Sequence, residues 1–146
     1  MSENNEEKKE EKVIVDISCF YTKESSEKGV WMEPNIGGKI GIEFRVIGSE
    51  SDEAAEILAD YDKAIAKIDE IKDPKARNEQ TRVALATATS KLVKGIRGAD
   101  GVAPMVGDKP LTYSPATAYA IMYNSFSIAN EILRFSRKAT GFMEKK

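Results

Sequence analysis

The sequence predicts an α+β fold: a small N-terminal antiparallel β-hairpin or sheet, then an α-helical bundle of three to four helices. Three observations carry the prediction. Ile40, Ile42, Phe44 and Val46 alternate with Gly41, Glu43, Arg45 and Ile47, the period of a strand with one covered face. From Ala54 onward, apolar residues recur at spacings of three and four, the period of an amphipathic helix. Pro and Gly then punctuate the helical part at Pro74, Gly98 and Pro115.

Taken in order, residues 1–12 carry five glutamates against three lysines and no large apolar group after Met1, so they read as a disordered acidic tail. With no apolar h-region, this start does not read as a signal peptide. Residues 13–146 read as one α+β domain, β-rich over 13–47 and helical over 51–143. Val13-Ile14-Val15-Asp16-Ile17-Ser18 is short and β-branched, a strand pattern. Residues 22–29 are polar and read as a loop. Val30-Trp31-Met32-Glu33 is a second short strand, expected to pair with the strand at 40–47 across the turn residues Asn35-Ile36-Gly37-Gly38.

Ser49 and Ser51 are N-cap candidates, and Asp52-Glu53 suits a first helical turn. Ala54, Ile57, Leu58, Tyr61, Ile65, Ile68 and Ile71 make the stripe of a helix reaching about Lys72, which Pro74 interrupts. A second helix is expected from Lys75 to Ile96, with Leu85, Leu92, Val93 and Ile96 as its stripe and Gly95 and Gly98 at its end. Residues 51–73 hold eight acidic residues and three lysines, a net of −5; residues 75–97 hold six basic residues and one glutamate, a net of +5. An antiparallel hairpin would set these charges face to face. Residues 98–112 read as a loop. Ser114-Pro115 opens a third helix, with Ser as cap and Pro at the first helical position. Ser125 can cap a fourth segment, which Gly141 ends ahead of Phe142-Met143.

Composition narrows the chemistry. The chain has no histidine and one cysteine, Cys19, which removes the commonest general base and the usual Cys/His zinc sites. The expectation is therefore no enzyme, no cofactor and no metal. No apolar run approaches the ~20 residues of a membrane span, so no membrane partner is expected. Acid pairs such as Asp60 and Asp62 lie between apolar helical positions and read as a solvated face. Asn35 to Lys39 lacks the spacing of a phosphate loop and leads into a strand. Gly95-Ile96-Arg97-Gly98 has the G-x-x-G form of a nucleic-acid clamp, but a helix C-terminus explains it as well, and nucleic acid is not the expected partner. What remains is protein binding through aromatic and apolar anchors. The candidates are Trp31 in a short strand, Tyr119, Tyr123, Phe126 and Phe135 in the helical third, and the terminal pair Phe142 and Met143.

The order of features resembles a known family. A hairpin ends in Ile42-Glu43-Phe44-Arg45-Val46-Ile47-Gly48, and Ser49-Glu50-Ser51 opens an acidic helix. A basic helix closes on Leu92-Val93-Lys94-Gly95-Ile96, a glycine-bearing loop leads to Leu111-Thr112-Tyr113-Ser114-Pro115, and a last segment ends in Arg137-Lys138-Ala139-Thr140-Gly141-Phe142. Over residues 30–143 this layout is similar to the tail assembly chaperones of long-tailed bacteriophages (siphophages). The chain departs from the family in lacking a Trp near the end of the second helix, where it has Val93-Lys94-Gly95-Ile96. The resemblance implies a protein of the infected bacterial cytoplasm that binds the tape measure protein during tail morphogenesis, helps recruit the tail tube protein, and is absent from the mature virion. Self-association stays open. The competing readings are a structural tail or head–tail connector protein and a small nucleic-acid-binding module.

Overall fold

A computed structural model describes residues 22–100 and 102–138. The acidic tail, the strand expected over 13–18, and Phe142 and Met143 lie outside the described residues. The fold is α+β, with a three-stranded antiparallel sheet ahead of and alongside a helical layer.

The first element differs from expectation. Thr22–Lys28 is a helix, α1, where a loop was predicted. Its polar sequence gives no stripe, but Lys28 pairs with Glu24 one turn back at 2.9 Å, and the Ser26 carbonyl accepts the Gly48 N–H at 3.0 Å. Docking on the end of the sheet, not periodicity, orders it.

The hairpin forms as predicted. Strand β1 (Val30–Met32) pairs antiparallel with β2 (Ile42–Val46), with Val30 opposite Val46 and Met32 opposite Phe44. Asn35 closes the turn, accepting the Gly38 N–H on its side-chain oxygen at 2.9 Å and bridging to Lys39. Alternation places Phe44 and Val46 inward, both fully buried. Ile47, assigned by alternation to the polar face, is buried too. The chain leaves the strand there, and the backbone of Ile47 bonds to the Leu92 carbonyl at 3.0 Å and the Ser136 hydroxyl at 2.8 Å.

Helix α2 (Asp52–Ile68) starts on Ser51, whose Oγ accepts the Ala54 N–H at 3.1 Å and donates to the Gly48 carbonyl at 2.9 Å. Ser51 is buried, so both bonds are shielded from water. Ser51→Ala is expected to cost about 1–2 kcal/mol. Thermal unfolding followed at 222 nm checks this, and an unchanged midpoint would show that the cap is not holding the helix start.

Helix α3 spans Pro74–Leu92, capped by Asp73 and with Pro at its first position. The helix stops at Leu92, and Val93–Gly98 is a third strand, β3, lying against β2. Ile96 stands opposite Phe44, Gly95 opposite Arg45 and Arg97 opposite Glu43. Leu92, Val93 and Ile96 fit a helical stripe by spacing, but pairing with β2 satisfies the backbone of 93–98 and outweighs it. The Gly95–Gly98 motif is therefore strand, neither a helix end nor a loop between helices that could clamp a nucleic-acid backbone. An alanine Cβ at Gly98 would lie 1.7 Å from the Val102 carbonyl oxygen, so the loop crosses the strand where only glycine admits it.

That loop carries a minimal hairpin, β4 (Met105–Val106) with β5 (Lys109–Pro110). Ser114-Pro115 opens helix α4 (Pro115–Asn124), and Ser125 both ends it and caps α5 (Phe126–Arg137), as expected. Helix α3 packs against α2, α4 and α5 and forms the centre of the helical layer. The core joins Phe44 and Val46 of the sheet to Leu85, Leu92, Met122 and Ile132 of the helices. Among the described residues no ion pair joins α2 to α3: Glu53 reaches Lys94 on β3, and Asp62 reaches Arg137 on α5 at 2.6 Å. None of the described helices is long and apolar enough to cross a membrane.

Candidate functional site

The predicted anchors among the described residues do not converge on one surface. Trp31 lies on the outer face of the sheet, half-buried, because its register partners Arg45 and Gly95 share that face. An alanine Cβ at Gly95 would meet Trp31 Cη2 at 3.0 Å, so the glycine lets the indole lie across the strand. The Arg97 guanidinium stacks over the ring at 4.0 Å, and its Nε donates to Glu43 Oε1 at 2.6 Å. Arg45 is pinned as well, donating to the Lys28 carbonyl at 2.6 Å and the Lys94 carbonyl at 3.0 Å. Trp31 is thus already capped by a cation within its own sheet. It is also the sole tryptophan of the chain, so its fluorescence reports this stack directly. Arg97→Ala is expected to shift the emission to the red and raise acrylamide quenching, with stability changed by no more than about 1 kcal/mol. Unchanged emission and quenching would show that the stack does not persist in solution.

Three of the helical aromatics, Tyr119, Tyr123 and Phe135, are committed to packing. Tyr119 and Tyr123 stack on α4 with centroids 6.1 Å apart, and both rest on the core, as does Phe135. Arg82 of α3 covers the Tyr123 ring at 4.7 Å and donates to the Tyr123 carbonyl at 2.8 Å. The Tyr123 hydroxyl donates to Glu79 Oε2 at 2.8 Å, and this bond, with some desolvation, raises the phenol above its ordinary value of 10.0. Since the folded state holds this proton more tightly, the bond stabilises fully below the ordinary phenol range and is lost as pH rises through the folded value. Among the described anchors Phe126 alone is open to solvent, at 57% exposure beside Ile36 of the β1–β2 turn.

The feature that the aromatic inventory missed is a groove between α2 and α3. Its α2 wall carries Ile57, Asp60, Tyr61, Ala64, Lys67 and Ile68, with Ile71 just beyond the helix, and its α3 wall carries Gln80, Ala84, Thr87 and Lys91, around an open volume of about 410 Å³. Both walls repeat at alternating spacings of three and four, the seam that faces another helix in coiled-coil packing. The stripe of α2 is therefore double. Ala54, Leu58 and Ile65 lie to one side of Tyr61 and Ile68, while Ile57, Ala64 and Ile71 line the groove. The groove continues toward the sheet into a second hollow of about 330 Å³, which shares Ile57, Asp60 and Lys91 with the first and extends to Tyr113 and Pro115. The signal for it was present in the heptad spacing of 57, 61, 64, 68 and 71, but one stripe alone does not tell which part the body covers.

A separate apolar hollow of about 430 Å³ lies between the β5 end of the loop and α4, near the exposed Val106. Among the described residues no group of three His, Cys, Asp or Glu is placed to hold a metal ion. No family model, curated protein or solved structure matches the chain.

Proposed function

We propose that this chain works by binding protein, without a catalytic step, as a tail assembly chaperone of a long-tailed phage. In this reading it holds helical, apolar stretches of the tape measure protein soluble in the host cytoplasm while the tail is built, helps bring up the tail tube protein, and does not remain in the virion. The observation that best supports it is the open α2–α3 groove, apolar at its centre and polar at its rim, with the seam spacing that receives a helix. The layout resemblance over residues 30–143 supplies the identity of the client.

Co-expression with the tape measure protein of the same genome tests the reading. The client is expected to move from the insoluble to the soluble fraction and to co-purify with the chain. A client that stays insoluble at equal expression would overturn it. Mass spectrometry of purified virions separates this role from that of a structural tail or connector subunit, which would be retained at stoichiometric level.

A further inference from the structure

We propose that α1 is a strap across the end of the sheet, which opens about Gly29 while the rest of the described fold stays closed.

Residues 47–49 follow directly on the middle strand β2, and their consecutive amides bind separate elements. The Ile47 N–H donates to the Leu92 carbonyl of α3 at 3.0 Å, the Gly48 N–H to the Ser26 carbonyl of α1 at 3.0 Å, and the Ser49 N–H to the Ser136 carbonyl of α5 at 2.9 Å. Three buried serines stand at this joint. Ser51 Oγ donates to the Gly48 carbonyl at 2.9 Å, and Ser136 Oγ to the Ile47 carbonyl at 2.8 Å. Ser26 Oγ differs from both: it is fully buried and has no hydrogen-bond partner among the described residues.

Of the three ties, the one to α1 is therefore the weakest. A buried hydroxyl without a partner works against docking, because water satisfies it once the helix is released. The helix brings no apolar stripe to offset this: it reads Thr-Lys-Glu-Ser-Ser-Glu-Lys, and its Glu24–Lys28 ion pair lies within the helix itself. Arg45 of β2 is the latch. Its guanidinium donates to the Lys28 carbonyl at 2.6 Å and to the Lys94 carbonyl at 3.0 Å, and so joins the strap to β3. Gly29 supplies the bend. Its φ is +88°, and an alanine Cβ there would lie 2.9 Å from Arg45 Cγ, so only glycine turns the chain this close to the latch. A helix of seven residues does not persist alone in water, so release and unwinding are one event. Release uncovers the Gly48 N–H and frees one arm of Arg45 on the sheet face that carries Trp31.

Native-state hydrogen exchange on the full chain, read by NMR, follows the three neighbouring amides separately. After correction for intrinsic rates, Gly48 is expected to exchange at least about a hundredfold faster than Ile47 and Ser49. Ser26→Ala removes the unpaired hydroxyl and should slow exchange at Gly48 about tenfold, with Ile47 and Ser49 unchanged. Arg45→Met keeps the apolar stem but removes the latch, and should speed exchange at Gly48 about tenfold. A common rate for the three amides would overturn the strap, since α1 would then leave only with the whole fold. So would a Gly48 rate that Ser26→Ala leaves unchanged or raises. If Arg45→Met speeds all three amides alike, Arg45 holds the sheet as a whole and is not the latch of a separate strap.

Discussion

Phe44→Ala is expected to remove about 3–5 kcal/mol of stability, a large part of what a domain of this size possesses. Phe44 is fully buried at the centre of β2, the middle strand of the sheet. Its cross-strand neighbours are Met32 on β1 and Ile96 on β3, and it belongs to the same cluster as Leu92, Met122 and Ile132. Truncation would therefore open a cavity where the sheet meets three helices, and a middle strand has no free side on which to collapse. Urea unfolding monitored by circular dichroism reads the change. A loss below about 1 kcal/mol would mean that the sheet does not seat on the helices through this side chain. The outer face offers the contrast, because Arg97→Ala one strand away removes a solvent-edged stack and leaves the core intact.

Residue by residue, what could be read ahead of the structure follows which forces are local. The β1–β2 hairpin was legible because alternation at 40–47 and the Asn-Ile-Gly-Gly turn are properties of consecutive residues. The starts of α2, α4 and α5 were legible for the same reason: Ser51, Ser114 and Ser125 cap their own next turns. Two elements were not. Helix α1 has no stripe and is held by a contact with Gly48, some twenty residues on. Strand β3 carries Val93 and Ile96 at helical spacing, and only its partner β2, fifty residues earlier, decides between the two periods. The same limit applies to the candidate site. Counting aromatics pointed to Tyr119, Tyr123 and Phe135, yet size alone does not tell an anchor from a core residue, and these three pack inward. The groove is built from modest residues, Ala64, Ala84, Thr87 and Ile71, whose importance comes from what is absent between two helices.

Filling that space is expected to abolish client binding while sparing the fold. Ala84 is half-buried on the groove wall of α3, so Ala84→Trp places an indole where a partner side chain would insert. A helix bound by a few apolar knobs loses their burial, worth about 1.5–3 kcal/mol each, and a loss of two such knobs lowers affinity by two orders of magnitude or more. The indole also covers some of the exposed wall of α2, so it is not expected to unfold the chain. Thr87→Glu gives an independent route to the same result. Thr87 is solvent-exposed in the free protein, so a carboxylate is well hydrated there, but a docked apolar helix would have to bury it unpaired. Both variants should melt within a few degrees of the parent yet leave the co-expressed tape measure protein insoluble. Phe126→Ala serves as the control, because among the described residues Phe126 is the one predicted anchor open to solvent, and it lies off the groove. If Phe126→Ala abolishes solubilisation and the two groove variants do not, the client surface is the Ile36–Phe126 patch rather than the α2–α3 groove. That result would return the binding face to the C-terminal aromatics from which the sequence reading started.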